Sequence, residues 1–371
     1  MAYTHNRMKV KVLQSNLTKA ISQAIHFTSV KAQLPILSNL LLKASKNSLS
    51  IQATNLEMSI NIGIGAKVEK EGEIAVSAKV LFDIVNNLKS EQVELVVDKE
   101  ILKVVTATFS GEVLALNTSD FPEIPSKLGI KATEIELTAL KKALNKVVFA
   151  VSNDESRPIL TGVLFEFTGK ILNIIATDGF RLSLAKIKHS KDIGVQSLVV
   201  PKNILFEIQK LDEGGGLSFS ASPKANQVSF AVPGALLSSR LLQGEFPNYK
   251  KIIPSRYTTD INTDKEEMIN AVKLASVFAR DASNVLRLKT QKGRVQLLAE
   301  SSKTGKQVNN IDAKTEGEII EIAFNFKYLL DGLSVIEAGG VTIELGGQNS
   351  PARLVDETDK DYLHLVMPVK I

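Results

Sequence analysis

The sequence predicts an α+β protein built from three copies of one domain. The first observation is a repeat, because Pro35–Thr54 (PILSNLLLKASKNSLSIQAT) aligns without a gap to Pro158–Thr177 (PILTGVLFEFTGKILNIIAT) at an offset of 123 residues. A weaker third copy, Asn284–Ser301, needs one inserted residue. Three times 123 is 369, which accounts for almost all of the 371 residues. The second observation is that helical and strand-like segments recur in the same order in each copy, as expected when one structural unit is repeated.

Short proline motifs close the three copies. They are Phe121-Pro122 in DFPEIP, Phe246-Pro247 in EFPNYKKIIP and Met367-Pro368 in LVMPVKI. Linkers are therefore expected near residues 125 to 133 and 252 to 260. The predicted domains are 1–128, 129–256 and 257–371, which fits the soft prior of roughly 100 to 200 residues per domain.

Each copy is predicted to contain two helices. Apolar residues at helical spacing mark the first helix in two copies: Leu13, Leu17, Ala20, Ile21, Ala24 and Ile25, then Leu137, Leu140, Ala143, Leu144, Val147, Val148 and Val151. In the third copy this helix runs from about Lys265 to Arg280, and Thr263 with Glu266 has the pattern of a capping box. The second helices are predicted at 78–89, 201–211 and 325–336.

The remaining segments read as antiparallel strands. Short alternating stretches such as QVELVVD, GLSFSAS and VTIELGG are separated by polar turns. Each copy then has roughly eight strands beside its two helices. Helices packed on one side of antiparallel sheet give an α+β domain.

Composition excludes several classes of function. Hydrophobic residues make up 44% and charged residues 23% of the chain, which is typical of a globular protein. There is no cysteine, so disulfides, thiol nucleophiles and thiolate zinc sites are excluded. No apolar run reaches the roughly 20 residues of a membrane span. The start of the chain has no apolar signal segment, and we expect a cytoplasmic protein.

The charge is mildly basic, and its placement is more informative than its amount. The net charge is +5, with a pI near 9.0. Basic residues recur on or beside corresponding predicted helices: Lys19, His26, Lys31, Lys79, Lys89, Lys141, Lys142, Lys146, Lys202, Lys210, Lys273, Arg280 and Lys327. Each alone is typical of a solvated helix face. Together they favour helices that face one polyanion and hold nucleic acid by phosphate attraction without base readout.

Signals for catalysis or metal binding are poor. The histidines His5, His26, His189 and His364 are scattered without metal-ligand spacing, and no P-loop pattern occurs. Asp178 follows a strand in ATDGFRL, but the first copy has Asn55 at the equivalent place. We therefore interpret Asp178 as a turn cap rather than a catalytic carboxylate.

Several segments carry a family resemblance in their order along the chain: LPILSNLLL with ATNLEM, then ATDGFRL, VPKN, EFPNYKKIIP and YLHLVMPVKI. From about Met8 to Ile371 the chain resembles the bacterial sliding clamps, the β subunits of DNA polymerase III. The resemblance implies three DNA-clamp domains in each chain and a head-to-tail homodimeric ring around duplex DNA, with helices lining the hole. A head-to-tail interface gives a closed ring when the rotation that relates successive subunits returns to the first one.

The resemblance also implies a function without catalysis. A clamp tethers the replicative polymerase to its template and confers processivity, and an ATP-dependent clamp loader places it on DNA. The implied partners are double-stranded DNA, the DNA polymerase III catalytic subunit, the clamp loader, other polymerases and repair proteins, and a second copy of the chain. No cofactor and no metal are implied, and the location is cytoplasmic at the nucleoid.

Two sets of site residues are expected, and the first carries over from the family by motif. The pocket between the second and third domains that receives a short partner motif is expected at Leu160, Thr177, Gly179, Arg181, Leu182, Pro247, Lys251, Ile252, Asn325, Tyr328, Pro351, Leu365, Met367, Pro368 and Val369. For Leu160 and Leu365 taken alone, ordinary packing is the preferred interpretation. The expected DNA contacts are Lys31, Arg157 and Lys202, which match family positions, together with Lys141, Lys142 and Lys146, which lie off the apolar stripe of their predicted helix.

The chain departs from the family pattern at the pocket. Phe180 stands where relatives often have His, Lys251 where they often have Arg, and Val369-Lys370 replaces a common Met-Arg ending. The pocket is thus expected to differ in motif preference. Two other hypotheses remain: a clamp paralogue acting as a decoy or resistance factor, and an enzyme centred on Asp178, which Asn55 disfavours.

Overall fold

The computed structural model describes residues 7–29, 34–129, 132–192, 194–212 and 215–370. The contacts divide the chain into two compact units. The first unit is Met1–Leu137 with Phe206–Leu241, and the second is Thr138–Leu205 with Leu242–Ile371. The sequence of the second repeat therefore contributes to both units.

Six α-helices occur in the described residues, two in each repeat as predicted. They are α1 (Gln14–Ala24), α2 (Ala78–Asn87), α3 (Leu137–Val147), α4 (Lys202–Gln209), α5 (Lys265–Ala279) and α6 (Phe326–Ser334). Short 3-10 turns lie at Ile25–Phe27, Pro35–Ser38, Thr118–Asp120, Val148–Ala150, Pro158–Thr161, Pro223–Ala225 and Tyr249–Lys251. The described part of the chain has no helix long and apolar enough to cross a membrane.

The strands number nine, eight and nine in the described parts of the three repeats, close to the predicted eight. In the first repeat they are β1 (Lys9–Leu13), β2 (Asn39–Ser45), β3 (Ser48–Thr54), β4 (Met58–Gly65), β5 (Lys67–Lys70), β6 (Gly72–Ser77), β7 (Gln92–Asp98), β8 (Ile101–Val105) and β9 (Ser110–Leu116). In the second they are β10 (Ala132–Glu136), β11 (Gly162–Thr168), β12 (Ile171–Thr177), β13 (Arg181–Lys188), β14 (Gln196–Pro201), β15 (Gly216–Ser222), β16 (Gln227–Val232) and β17 (Ala235–Arg240). In the third they are β18 (Thr259–Asp264), β19 (Val285–Gln291), β20 (Arg294–Ser301), β21 (Gly305–Asp312), β22 (Lys314–Gly317), β23 (Glu321–Asn325), β24 (Gly340–Leu345), β25 (Ala352–Val355) and β26 (Tyr362–Val366).

All described strand pairings are antiparallel, and the sheets cross the repeat boundaries. The first unit holds one sheet in the order β10-β15-β16-β17-β4-β3-β2-β6-β9-β8-β7-β1-β5, in which β4 of the first repeat pairs with β17 of the second. The second unit holds a sheet in the order β14-β11-β12-β13-β26-β25-β24-β18-β22. There β13 of the second repeat pairs with β26 of the third. The second unit also contains the four-stranded sheet β21-β20-β19-β23.

Each unit has helices packed on sheet, as expected for the α+β class. In the first unit α1 packs against α2 and the strands β3 and β4. In the second unit α5 packs against α6, β20 and β21. Leu17 and Ile21 of α1, and Met268 and Val272 of α5, are almost completely buried. The apolar stripes predicted from helical spacing therefore form the contact faces of these helices.

The helix α5 begins at Lys265 as predicted, but its N-cap lies one residue from the predicted one. Its N-cap is Asp264, whose side chain accepts a hydrogen bond from the backbone N–H of Glu267 at 2.9 Å. Thr263 instead donates its hydroxyl to the carbonyl oxygen of Asp312 at 2.8 Å. A carboxylate is an equally strong cap, so the neighbouring Asp takes the role that the capping-box pattern assigned to Thr263.

Candidate functional site

The turn between β12 and β13 is held by its own side chains. The Thr177 hydroxyl donates to the carbonyl oxygen of Arg181 at 2.6 Å and accepts from the backbone N–H of Gly179 at 3.0 Å. The Asp178 carboxylate accepts from the backbone N–H groups of Phe180 and Arg181 at 2.9 and 3.0 Å. Four hydrogen bonds within five residues make this turn a rigid platform for the side chain of Phe180.

Gly179 adopts the backbone conformation of this turn without strain. Its φ is 91°, a left-handed conformation that residues with a Cβ rarely adopt. A Cβ at this position would also lie 3.3 Å from a terminal guanidinium nitrogen of Arg157. The Arg157 side chain therefore flanks the turn on its exposed side.

The first repeat builds the same turn without the glycine. Thr54 donates to the carbonyl oxygen of Met58 at 3.0 Å and accepts from the N–H of Leu56 at the same distance. Asn55 accepts from the N–H groups of Glu57 and Met58 at 3.1 and 2.8 Å. Since Asn55 repeats every backbone hydrogen bond of Asp178, the side chain at this position is a structural cap. The interpretation of Asp178 as a turn cap is confirmed.

Arg181 joins the turn to the rest of the second unit. Its Nε donates to Asp178 Oδ2 at 3.1 Å, one terminal nitrogen pairs with Asp331, and the other donates to the carbonyl oxygen of Phe149 at 2.6 Å. Its Cζ lies 4.7 Å from the centre of the Tyr328 ring, at cation–π distance. Only 11% of the side chain is exposed. Arg181 is therefore a largely buried side chain that links the turn to Phe149 and α6, rather than an exposed cation.

An aromatic pair borders the turn. The rings of Phe180 and Tyr328 are stacked, with centroids 6.3 Å apart and planes at 15°. Burial and the nearby Asp178 carboxylate raise the pKa of Tyr328 above its usual 10.0, although the Arg181 charge opposes them. The phenol is therefore neutral at pH 7. Phe180 is 56% exposed, so the pair presents an apolar ring to solvent.

The last strand of the chain lies beside the turn. In the β13–β26 pairing Arg181 is opposite Val366, and Leu182 is opposite Leu365. The N–H of Met367 then donates to the carbonyl oxygen of Phe180 at 2.8 Å, and the N–H of Val369 donates to that of Ala323 at 2.8 Å. Sequence positions that are far apart, ATDGFRL and LVMPV, thus form one continuous surface.

Apolar packing supports this surface from below. Leu182 and Leu365 belong to one buried cluster that also contains Leu164, Leu184 and Tyr249. Ile252 packs on that cluster while remaining partly exposed. The preferred reading of Leu365 taken alone, ordinary packing, fits its almost complete burial.

The other predicted pocket residues occupy varied positions in the second unit. Leu160 is buried, whereas Pro247 and Lys251 are exposed. Asn325 caps α6 by accepting from the N–H of Lys327 at 3.0 Å. Pro351 is buried next to Ala352, which pairs with Val366. Hydrogen bonds, strand pairing and ring contacts join one group of these residues: Thr177, Gly179, Arg181, Leu182, Tyr328, Leu365 and Met367.

Three residues of the site were missed by the sequence analysis. The carbonyl oxygen of Phe149 accepts a hydrogen bond from Arg181, and Asp331 pairs with the same guanidinium. His364 is fully buried, and its Nε2 lies next to the carbonyl oxygen of Tyr328. For His364 a signal existed in the strand pattern YLHLV, because a polar residue stands there at an inward position. Phe149 and Asp331 lie in ordinary helical contexts and gave no signal.

The predicted DNA contacts fall into different environments. Lys142 is half exposed and its Nζ lies 2.8 Å from Glu337 Oε2. Arg157 is also half exposed, with its Nε 3.4 Å from Asp154 Oδ2. The Nζ of Lys202 donates to Asn153 Oδ1 at 2.7 Å. Lys141 is partly exposed on α3, and Lys31 lies outside the described residues.

Lys146 is not available to a phosphate, which corrects the expectation that it contacts DNA. Its side chain is 5% exposed, and its Nζ lies 2.7 Å from Asp359, 3.6 Å from Glu337 and 3.7 Å from Asp356. It also lies 5.2 Å from the centre of the Tyr362 ring. A lysine surrounded by three carboxylates and an aromatic ring serves the fold of the second unit.

The described residues contain no cluster of potential metal ligands. Within the described ranges no group of three or more His, Asp or Glu side chains could hold a metal ion. The site is instead a rigid apolar surface edged with charge, which suits the docking of an extended peptide.

Comparison with known proteins identifies the family of this chain. Family models of the DNA polymerase III beta subunit match residues 8–125 as the N-terminal domain, 134–248 as the central domain and 250–370 as the C-terminal domain. The chain belongs to the DNA polymerase III beta subunit family. The family is a DNA sliding clamp, a processivity factor of replication that is not itself an enzyme.

Individual relatives agree along the whole chain. The beta sliding clamps of Synechocystis sp. and Vibrio cholerae are each 28% identical, over 98% of this chain and 100% of theirs. The crystal structure of the DNA polymerase sliding clamp from Bacillus subtilis matches with a TM-score of 0.94 at 28% identity, over 99% of this chain and all of that one. The DNA polymerase III beta subunit from Thermotoga maritima matches with a TM-score of 0.90 at 26% identity, over 98% and 100%.

Proposed function

We propose that this sliding clamp closes as a head-to-tail homodimer around duplex DNA and tethers proteins through the surface built on Phe180, Tyr328 and Met367. The proposed domains are 1–128, 129–256 and 257–371. The observation that carries the proposal is that the rigid turn between β12 and β13 lies against β26 and is hydrogen-bonded to Met367. This arrangement leaves apolar side chains exposed on a platform fixed by buried hydrogen bonds.

Two strand edges support the homodimer. β21 is the outer strand of its four-stranded sheet, and β9 pairs with β6 only at Leu116 and Ala115, so residues 110–114 keep an open edge. Leu114 on β9 is 83% exposed, and Val308 on β21 is also exposed. Open edges with apolar side chains invite pairing with another chain. Pairing β9 of one chain with β21 of the other would use both edges in a heterologous contact.

The helix next to β21 supplies further apolar surface. Leu274 and Val277 on α5 are both more than half exposed, although α5 packs on β20 and β21 with its other face. An apolar helix face beside an open edge is typical of a subunit interface.

Contacts to DNA are proposed for Lys31, Lys141, Lys142, Arg157 and Lys202. Weak phosphate contacts are appropriate here, because a clamp must slide and strong base-specific bonds would arrest it. The carboxylates beside Lys142 and Arg157 moderate their attraction for phosphate. Binding should therefore depend on topology more than on affinity, and its salt dependence should reflect only a few contacts.

The proposed partners are the catalytic subunit of DNA polymerase III, an ATP-dependent clamp loader, and other polymerases and repair proteins with a short clamp-binding motif. The pocket is proposed to consist of the fifteen residues named for it in the sequence analysis. The proposed location is the cytoplasm at the nucleoid.

The experiment that tests the proposal measures retention on DNA. The chain is loaded with a clamp loader onto nicked circular DNA, and the complex is separated by gel filtration at moderate salt. We expect the clamp to stay on circles and to leave after the DNA is cut once with a restriction enzyme. Equal retention on linear and circular DNA would contradict encirclement. A chain that never loads yet binds a partner peptide would favour a decoy paralogue.

A further inference from the structure

A buried polar pair lies directly behind the proposed peptide surface. His364 on β26 is opposite Ser183 on β13 in the strand register, and both residues are completely buried. The Ser183 Oγ and the His364 Nδ1 are 2.7 Å apart. Burying two polar side chains is unfavourable unless they are hydrogen-bonded, and here they bond to each other.

The second nitrogen of the imidazole is directed at α6. His364 Nε2 lies 3.3 Å from the backbone carbonyl oxygen of Tyr328. A carbonyl oxygen can only accept, so Nε2 carries the proton and Nδ1 accepts from the Ser183 hydroxyl. The hydrogen bonds therefore run from Ser183 through a neutral imidazole to the Tyr328 carbonyl.

Packing adds to this hydrogen bond. The backbone of Gly332, one turn along α6, rests on the imidazole, and a Cβ at Gly332 would lie 2.3 Å from His364 Cδ2. The ring of Phe149 lies 5.5 Å from the imidazole on another side. The imidazole thus sets how closely the first turns of α6 approach β13 and β26.

The position of α6 matters because Tyr328 belongs to the proposed pocket. Its ring stacks on Phe180 and lies under the Arg181 guanidinium. A shift or rotation of α6 would move this ring while leaving the turn of Phe180 in place, since the turn is held by its own hydrogen bonds. We propose that His364, with Ser183, is a positioning residue of the peptide pocket that holds the Tyr328 ring against Phe180 and Arg181.

The electrostatic surroundings keep the imidazole neutral. Burial lowers the pKa of His364 to about 3, and the Arg181 charge acts in the same direction, against the hydrogen bond to Tyr328. Asp331 is paired with Arg181, and Tyr362 stands two residues before His364 on the same strand. The positioning hydrogen bonds should therefore persist unchanged between pH 5 and pH 8, so that His364 is a fixed support and not a pH switch.

This inference rests on the proposed pocket, and its first test does not need the partner. The chain is labelled with 3-fluorotyrosine, and the Tyr328 resonance in the 19F spectrum is assigned with Tyr328→Phe. We expect His364→Leu to shift that resonance from its wild-type position. In His364→Gln, which keeps a donor near the Tyr328 carbonyl, the resonance should lie close to the wild-type position. Ser183→Ala should give a smaller shift and serves as the mild variant if His364→Leu does not fold. An unmoved Tyr328 resonance in the folded variants would overturn the proposal.

The second test measures function with a fluorescent Gln-Leu-x-Leu-Phe peptide. His364→Leu should weaken binding by about fivefold, as expected for the loss of one orienting hydrogen bond, while His364→Gln should stay within about twofold of wild type. In a Tyr328→Leu background the same His364→Leu change should have little further effect, because both act through one ring. Fully additive effects would contradict positioning through Tyr328. No peptide binding by the folded wild-type chain would count against the pocket itself, and the 19F result would then still decide the role of His364.

Discussion

Lys146 and Asp359 form a buried ion pair in the second unit, with Nζ 2.7 Å from Oδ2 and only 5% of the lysine side chain exposed. The pair connects α3 to the turn between β25 and β26, that is, the second repeat to the third. Removing one partner from such a pair leaves a buried charge without compensation, which is far more unfavourable than losing an exposed pair.

We therefore predict that Lys146→Met destabilises the protein by about 3 kcal/mol. Lys142→Met is the matched control, because Lys142 lies on the same helix and its pair with Glu337 is half exposed. The control should lose little stability. Urea unfolding followed by circular dichroism measures both. Similar losses for the two variants would mean that the buried cluster does not contribute beyond an ordinary surface pair.

Part of the loss of stability in acid should come from Asp356, which lies 3.7 Å from the Lys146 ammonium group. Burial would raise the pKa of Asp356, but the hydrogen bonds donated by Thr358 and by the backbone N–H of Glu337 outweigh it and hold the pKa below its usual 3.8. A carboxylate whose pKa is lower in the folded state contributes stability above its unfolded pKa. That contribution is lost as the pH falls below 3.8 and through the folded pKa.

The corresponding prediction compares wild type with Asp356→Asn. The variant should be less stable at pH 7, and its stability should fall less steeply than that of wild type between about pH 5 and pH 2. Unfolding midpoints at several pH values give the two slopes. Parallel slopes would show that Asp356 has the same pKa in the folded and unfolded states.

Leu56 carries strain that a glycine would remove. Its φ is 75°, although it has a Cβ, and its side chain is 44% exposed. The left-handed conformation costs an L-residue roughly 1 to 2 kcal/mol, whereas glycine loses about 0.5 to 1 kcal/mol of extra chain entropy.

We predict that Leu56→Gly stabilises the protein by about 0.5 kcal/mol, the difference between these effects. Gly179→Ala is the opposite change at the equivalent turn, where φ is 91°, and it should destabilise. Thermal melts of both variants measure the shifts. A less stable Leu56→Gly variant would indicate that the leucine side chain makes a contact worth more than the strain.

The proposed pocket predicts a selective loss of peptide binding. Wild type should bind the Gln-Leu-x-Leu-Phe peptide in the micromolar range, roughly −8 kcal/mol. Phe180→Ala with Met367→Ala should weaken binding at least about tenfold, since apolar anchors dominate such interfaces. We prefer these two residues to Arg181, because Arg181→Ala would leave Asp178 and Asp331 without their cation.

Ile171→Ala is the matched control for this experiment. Ile171 is an exposed apolar residue at the opposite end of the same β12–β13 hairpin, where it pairs with Lys188. Its loss should leave the affinity unchanged in fluorescence anisotropy. If both variants bind like wild type, the partner surface lies elsewhere on the chain.

The repeated parts of the fold were predictable because they depend on local rules. Residues at offset 123 build the same turn, so Asn55 in the first repeat is enough to indicate that Asp178 is a turn cap. Helical spacing located all six described helices, because each buries one apolar stripe. The cap of α5 was misplaced by one residue, since Thr263 and Asp264 both fit the N-cap pattern and only tertiary contacts choose between them.

The features that depend on distant residues were not predictable. Lys146 lies outside the apolar stripe of α3 and would be exposed on an isolated helix, but residues from the third repeat cover it. The support of Tyr328 by His364 requires the register of β13 with β26, which joins residues about 180 positions apart. No spacing rule in one sequence carries that information.

The sheets that cross the repeat boundaries determine how this chain can be divided. A protease cut near residue 130 or 255 separates the duplicated segments but leaves intact the backbone ladders between β4 and β17 and between β13 and β26. The nicked fragments should therefore remain associated under native conditions. A single repeat expressed alone would instead leave the edge of such a ladder unpaired and should aggregate.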